Sequence, residues 1–157
     1  MASPVVRLRP VEEDDLPVLY EHQLDPEACR MAAFEARDRA AFLQHWGKVL
    51  RDPTCLARTV LADDAIAGYV GTWDADDARL VGYWIGRPWW GRGVATAALS
   101  AFLGLERARP LHALVAAHNV SSIRVLEKCG FVRSDDVVAT GDDVEEFAYR
   151  LDGRPAT

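Results

Sequence analysis

Apolar and polar positions alternate from the start of the chain: "VVRLRP", residues 5–10, carries the two-residue period of a half-buried strand. From Val11 to Asp25 the period lengthens to that of a helix. Glu12, Glu13, Asp14 and Asp15 crowd its first turn, where the helix dipole favours acids. A second helix fits residues 37–52, with Phe42, Leu43, Trp46, Val49 and Leu50 at helical spacing, and Pro53 stops it. "CLARTVLA" and "IAGYVGTW" read as a hairpin, and "DADDA" turns the chain into a third strand, "RLVGYWIG". Between Gly91 and Arg107, Val94, Ala98, Leu99, Phe102 and Leu103 form one apolar helix face. "LHALVAA", residues 111–117, is nearly all apolar and suits a strand buried on both faces. Another helix starts near Asn119 and ends at "CGF", with Gly130 placed after the C-cap and Phe131 positioned to pack back on Leu126. A last hairpin, residues 134–151, puts Phe147, Tyr149 and Leu151 on one face. Two helices between the first strands, then a meander, then strand–helix–strand–helix–hairpin, predict a mixed α/β layer with helices on both sides of a sheet.

The length of 157 residues suits one domain, expected to span residues 1–157. Net charge is −6, which argues against a nucleic-acid partner, since phosphate backbones require concentrated basic surface. The acids form a solvated surface or favour a cationic substrate. Cys29, Cys55 and Cys129 are odd in number and lack metal-ligand spacing, so free thiols in a reducing compartment are expected. No apolar run approaches membrane-spanning length, and the expected setting is the cytoplasm.

The chemistry concentrates in "GYWIGRPWWGRGVAT", residues 82–96, where a strand feeds a helix through glycines and arginines. Backbone amides at such a helix mouth lack intrahelical acceptors and face the positive end of the dipole, so the turn is a candidate anion site, with Arg87 and Arg92 adding charge. Packing alone also explains such turns. A P-loop is excluded because no G-x-x-x-x-G-K-[ST] run exists. A dinucleotide fingerprint fails at Thr96, where the third small residue should stand, and no acid follows about twenty residues on.

A second motif, "HNVSSIRVLEKCGF", residues 118–131, follows at natural spacing. Together the two resemble the GNAT N-acetyltransferase superfamily, and within it the branch containing ribosomal-protein-alanine N-acetyltransferases. The resemblance rests on Gly82-Tyr83-Trp84-Ile85, Trp90-Gly91-Arg92-Gly93-Val94-Ala95-Thr96 and Asn119 through Phe131, about fifty residues. It implies a GNAT fold, with a mixed, mostly antiparallel sheet, splayed central strands and helices on both faces. It also implies acetyl-CoA as co-substrate without a metal. The pyrophosphate would sit on the turn from Trp90 to Thr96, and the pantetheine arm would run beside the main chain at Trp84 and Ile85 and near Asn119. The superfamily's general motif is Q/R-x-x-G-x-G/A, and Trp90 takes its first place here. Many relatives place a general-acid Tyr where this chain has Leu126, so that role passes to another group or to water.

Acetyl transfer to an amine requires a neutral nucleophile, a donor for the carbonyl oxygen and a proton for the departing thiolate. A main-chain N–H at the end of the Tyr83–Ile85 strand is the natural oxygen donor. Ser122, in the N-x-x-S position, is the candidate proton donor, or a helix-capping serine. His118 is a candidate base, or a solvent-facing residue. Tyr83 is a further candidate acid, or part of the core. Asn119 binds pantetheine amides, caps its helix, or both. Arg124 and Lys128 reach CoA phosphates or stay in solvent. Cys129 reads as core. The acceptor pocket is expected from "YEHQLDPEACRMAAFEARD" and "TGDDVEE", with Glu21 and Glu35 as candidate ammonium partners. The expected reaction is direct attack by a primary amine, on a small molecule or a protein N-terminus, in a ternary complex. The alternative is a catalytically weak acyl-CoA-binding or regulatory module, favoured by Leu126. A homodimer is left open.

Overall fold

A computed structural model describes residues 3–134 and 145–153. Strand β1 (Val6–Pro10) leads through a single 3-10 turn, Glu13–Asp15, into α1 (Leu16–Gln23), α2 (Pro26–Ala32) and α3 (Arg39–Arg51). Three antiparallel strands follow, β2 (Leu56–Ala62), β3 (Ala65–Ala75) and β4 (Ala78–Ile85). After a 3-10 turn at Arg87–Trp89 come α4 (Val94–Leu103), β5 (Leu111–Ala116), α5 (Val120–Lys128), β6 (Val132–Ser134) and β7 (Glu146–Leu151). The sheet order is β1-β2-β3-β4-β5-β7-β6, antiparallel except between β4 and β5.

Most elements match the sequence pattern. One correction concerns α2, because three helices rather than two precede β2. Its signal was local and short: the Asp25 side chain accepts from the Glu27 amide as N-cap, and Pro26 opens the helix. The helix expected from Gly91 to Arg107 is shorter, since Gly91–Gly93 form the turn before it and Leu103 ends it. β5 is less enclosed than expected, because Leu114 is 37% exposed. The α5 terminus closes as foreseen, with the Phe131 amide bonding the Leu126 carbonyl at 3.0 Å and that of Gly130 bonding Glu127 at 3.1 Å. The turn of the final hairpin, residues 135–144, lies outside the described residues.

β3 serves two cores, its alternation reset by a bulge between Ile66 and Gly68 where it pairs with β2. Ala67 and Val70 face a large cluster with Val94, Leu99 and Phe102 of α4 and Leu126 of α5. Ile66 and Tyr69 face a smaller one with Leu16 and Leu19 of α1 and Phe42 and Trp46 of α3. A buried carboxylate ties helices to the sheet on each side. Asp15 accepts from both terminal nitrogens of Arg9 at 2.7 Å, from the Thr59 hydroxyl at 2.7 Å and from the Glu12 amide at 2.9 Å. Burial alone would raise its carboxyl, but these hydrogen bonds outweigh burial and hold it at about 2. Behind α4, Glu106 accepts from the Thr72 hydroxyl at 2.6 Å and Arg79 Nε at 2.7 Å. It too stays below its ordinary value, despite burial.

Candidate functional site

β4 and β5 are registered at one pair, Leu80 with His112, and part beyond it. Parallel strands that separate leave main-chain groups without a ladder partner, and these need another occupant. The gap opens into a cleft of about 390 Å³. Its walls are the end of β4 (Tyr83, Trp84, Ile85), the turn after it, the start of α4, the first turns of α5, and Ala28 and Met31 of α2.

The turn is built for close approach. Gly91 and Gly93 have φ of 71° and 78°, a left-handed conformation that side chains rarely adopt, and open space lies where their Cβ atoms would stand. Gly93 is the N-cap of α4 and supplies no capping side chain. The first α4 backbone bond runs from the Ala97 amide to the Gly93 carbonyl at 3.1 Å, so helix geometry leaves the Val94, Ala95 and Thr96 amides without intrahelical acceptors. This arrangement fits an anionic diphosphate. Trp90 folds back, its Nε1 donating to the Ile85 carbonyl at 2.8 Å, and so fixes the strand end. Arg92 stacks over Trp89, 4.9 Å from the ring centroid, and lies outside the cleft lining. Arg87 turns instead toward Asp25, at 3.4 Å.

On the α5 side, the Tyr83 hydroxyl and Ser122 Oγ are 2.5 Å apart, and the hydroxyl also lies 3.4 Å from the Ser122 carbonyl. Burial raises the Tyr83 phenol to about 12, against the opposing effect of its Ser122 hydrogen bond. The couple therefore stays protonated at neutral pH and can donate. Asn119 caps α5 by accepting from the Ser122 amide at 3.3 Å, while also lining the cleft. Leu126 is only 2% exposed and belongs to the core. Cys129 is partly buried, its Sγ 3.7 Å from the Thr96 carbonyl, and burial raises its thiol. Arg124 and Lys128 both line the cleft.

The opposite face of β4 is made of side chains. Trp84 donates from Nε1 to the His22 carbonyl at 3.3 Å and meets Phe34 edge-on, with centroids 5.4 Å apart. Phe34 is carried by a loop that Gln23 pins, its amide giving a 3.0 Å bond to the Arg37 carbonyl and taking a 2.7 Å bond from the Arg37 amide. His118 lies outside the lining, its Nε2 donating to the Arg30 carbonyl at 2.8 Å. Glu21 and Glu35 are exposed and line no part of the cleft. Sequence reasoning did not single out His22, Phe34 or Gln23 for a role. Their positions follow from how α1 and α2 dock on the sheet, and no local motif carries that.

No group of His, Cys, Asp and Glu among the described residues could hold a metal ion, and no described helix is long and apolar enough to cross a membrane. A search of curated proteins finds no match. Several solved structures share the fold at low identity. A spermidine N-acetyltransferase from Vibrio cholerae in complex with CoA and spermine superposes with a TM-score of 0.78 at 16% identity, covering 93% of this chain and 94% of that one. A GNAT-family acetyltransferase from Bacillus anthracis gives 0.80 at 15% identity, with 96% of each chain covered. The ribosomal L7/L12 alpha-N-protein acetyltransferase RimL, in complex with coenzyme A, gives 0.77 at 17%, with 94% of this chain and 93% of that one covered. The family model described as an acetyltransferase (GNAT) domain matches residues 6–132. The chain belongs to the GNAT acetyltransferase family and is an acetyl-CoA-dependent N-acetyltransferase.

Proposed function

We propose that the chain acetylates a primary amine, on a small molecule or a protein N-terminus, by direct attack within a ternary complex. The observation that carries this reading is the continuity of the cleft. It joins the bare α4 amides, the parted end of β4 and the Tyr83–Ser122 couple, and it reaches α2 on the other side of the sheet. Bound acetyl-CoA supplies an acetyl thioester, and the protein's work is to hold and polarise it. The amides of Val94, Ala95 and Thr96, with the main chain of Gly91 to Gly93, receive the diphosphate. Main chain at Trp84 and Ile85 and the Asn119 amide hold the pantetheine arm. A β4 main-chain N–H takes the charge growing on the carbonyl oxygen. Ser122, backed by Tyr83, gives a proton to the leaving sulfur, the task for which Leu126 is unsuited. This couple weakens the case for a mere acyl-CoA-binding module.

We also read the chain as one domain over residues 1–157, in a cytoplasmic setting, with no nucleic-acid or membrane partner. Three free cysteines and the net charge of −6 support this. The edge position of β1 is compatible with a homodimer, which analytical ultracentrifugation checks.

Calorimetric titration with acetyl-CoA and with CoA is the test. Micromolar binding of both, followed by amine-dependent thiol release, is expected. Absence of binding by either overturns the site assignment.

A further inference from the structure

Charge is distributed unevenly around the cleft. Among the described residues, its lining holds two ionised side chains, Arg124 and Lys128, and no carboxylate. Both cations stand on α5, the helix that also carries Ser122. The uncharged polar side chains Thr96, Asn119, Ser121 and Ser122 belong to α4, to α5 or to the α5 cap.

Across the end of β4 the wall is of another kind. Met31 and Ala32 lie one helical turn beyond Ala28, so the three share a face of α2, and that face lines the cleft together with Trp84. The Trp84 indole N–H is already given to the His22 carbonyl, so the ring meets the cleft as an apolar surface. Phe34 holds that ring edge-on, and the Arg37 guanidinium sits over Phe34, 5.1 Å from its centroid. Trp84 is thus fixed from behind, while the half-buried Met31 thioether can adjust to the shape of a ligand.

The carboxylates of this region are engaged elsewhere. Glu27 accepts from Arg30 Nε at 3.0 Å. Asp25 accepts from the Glu27 amide at 3.1 Å and from Arg87 at 3.4 Å, and its second oxygen is buried. Neither lines the cleft, nor do Glu21, Glu35, Glu145 or Glu146. No described acid therefore offers a counter-charge to a cation on this wall. An ammonium pressed there without a counter-ion loses hydration for nothing in return, whereas a methylene chain or a ring gains from burial. Desolvation also favours the neutral, nucleophilic form of the reacting amine.

We propose that the acceptor is a primary monoamine borne on an apolar group that seats on Ala28, Met31, Ala32 and Trp84, and that amines carrying a second positive charge are rejected. This rests on the acetyl-CoA-dependent reaction set out above and names its acceptor class. The amine nitrogen bonds to the acetyl carbon as the C–S bond breaks. The sulfur takes its proton from the Tyr83–Ser122 couple, and the nitrogen loses its surplus proton to water. A small alkylamine or arylalkylamine offers this chemistry, and so does a peptide N-terminus whose first side chain is apolar.

The test is thiol release from acetyl-CoA with two matched pairs of acceptors. Pentylamine and 1,5-diaminopentane differ in one terminal ammonium, and a leucine-initiated peptide is set against its lysine-initiated counterpart. In at least one pair, kcat/KM should favour the apolar member by about tenfold or more. Preference in the amine pair alone assigns a small-molecule acceptor, and preference in the peptide pair alone assigns a protein N-terminus. Ala32→Glu places a carboxylate on the exposed end of the wall and should narrow the preferred ratio about tenfold, with acetyl-CoA affinity within about twofold of the parent. Met31→Glu should act in the same direction and serves where Ala32→Glu does not fold. Ratios near one or below in both pairs, or a ratio unmoved by the folded variant, overturn the proposal. So does thiol release no faster with any of the four acceptors than with water alone, from a chain that binds acetyl-CoA. Failure of the parent chain to bind acetyl-CoA by calorimetry overturns instead the cofactor assignment, and the acceptor class falls with it.

Discussion

The two sides of the β4 end are built from different materials. Toward α4 and α5 the wall is main chain and small groups: two left-handed glycines, three unpaired amides and a pair of hydroxyls. Toward α1 and α2 it is large side chains, Trp84 against Phe34 and His22 against Gly86, braced by Gln23. Main chain can recognise a fixed ligand without dictating side-chain identity, whereas a wall of side chains changes its shape with each substitution. The first kind suits an invariant co-substrate and the second suits an acceptor that differs among enzymes of one fold.

The sharpest way to break this contrast is to loosen one side only. Asp15→Ala leaves Arg9 and Thr59 facing a buried void beneath α1, and should cost about 3–5 kcal/mol of stability, read by urea denaturation. The same carboxylate sets an acid dependence. Its folded value of about 2 lies below its ordinary one, so its contribution is complete above about pH 4 and disappears as pH falls toward 2. Urea midpoints measured across that range should therefore decline in the parent and stay flatter in the variant.

On the other side, Tyr83→Phe and Ser122→Ala should each lower kcat about a hundredfold while sparing the acetyl-CoA dissociation constant. If the hydroxyls act as one unit, the double variant is little worse than either single one, and full additivity would separate them. Gly93→Glu should weaken acetyl-CoA binding by about tenfold or more, combining left-handed strain of about 1–2 kcal/mol with a carboxylate set against the diphosphate. Unchanged affinity by calorimetry would remove the diphosphate from that turn. The smallest effect belongs to Trp90→Phe, which deletes one hydrogen bond to the Ile85 carbonyl and should cost about 1 kcal/mol by thermal or urea unfolding.

The difference in materials also explains what could be read from the sequence. Glycines at 91 and 93, Asn119 and Ser122 are specified by local backbone demands, and their order along the chain is itself the site. Strands β2 to β4 and helix α4 were legible for the same reason, since period and turn residues are local. His22, Gln23 and Phe34 acquire their places from the docking of α1 and α2, which no spacing rule expresses. The short helix α2 was lost among charged and small residues despite its Asp-Pro start. His118 illustrates the reverse. It stands at the end of β5 as its sequence position suggests, yet its ring turns away to a carbonyl of α2. Trp90, a departure from the superfamily motif, has a plain structural use as the clasp on Ile85.

That clasp has an optical consequence. Of the five tryptophans, Trp84, Trp89 and Trp90 line the cleft, while Trp46 is in the α1–α3 core and Trp73 stands on β3 away from it. Three of the five indoles thus stand at the walls that an adenine-bearing ligand would touch. Filling the cleft should shift or quench that emission, and the protein carries its own occupancy gauge without a label.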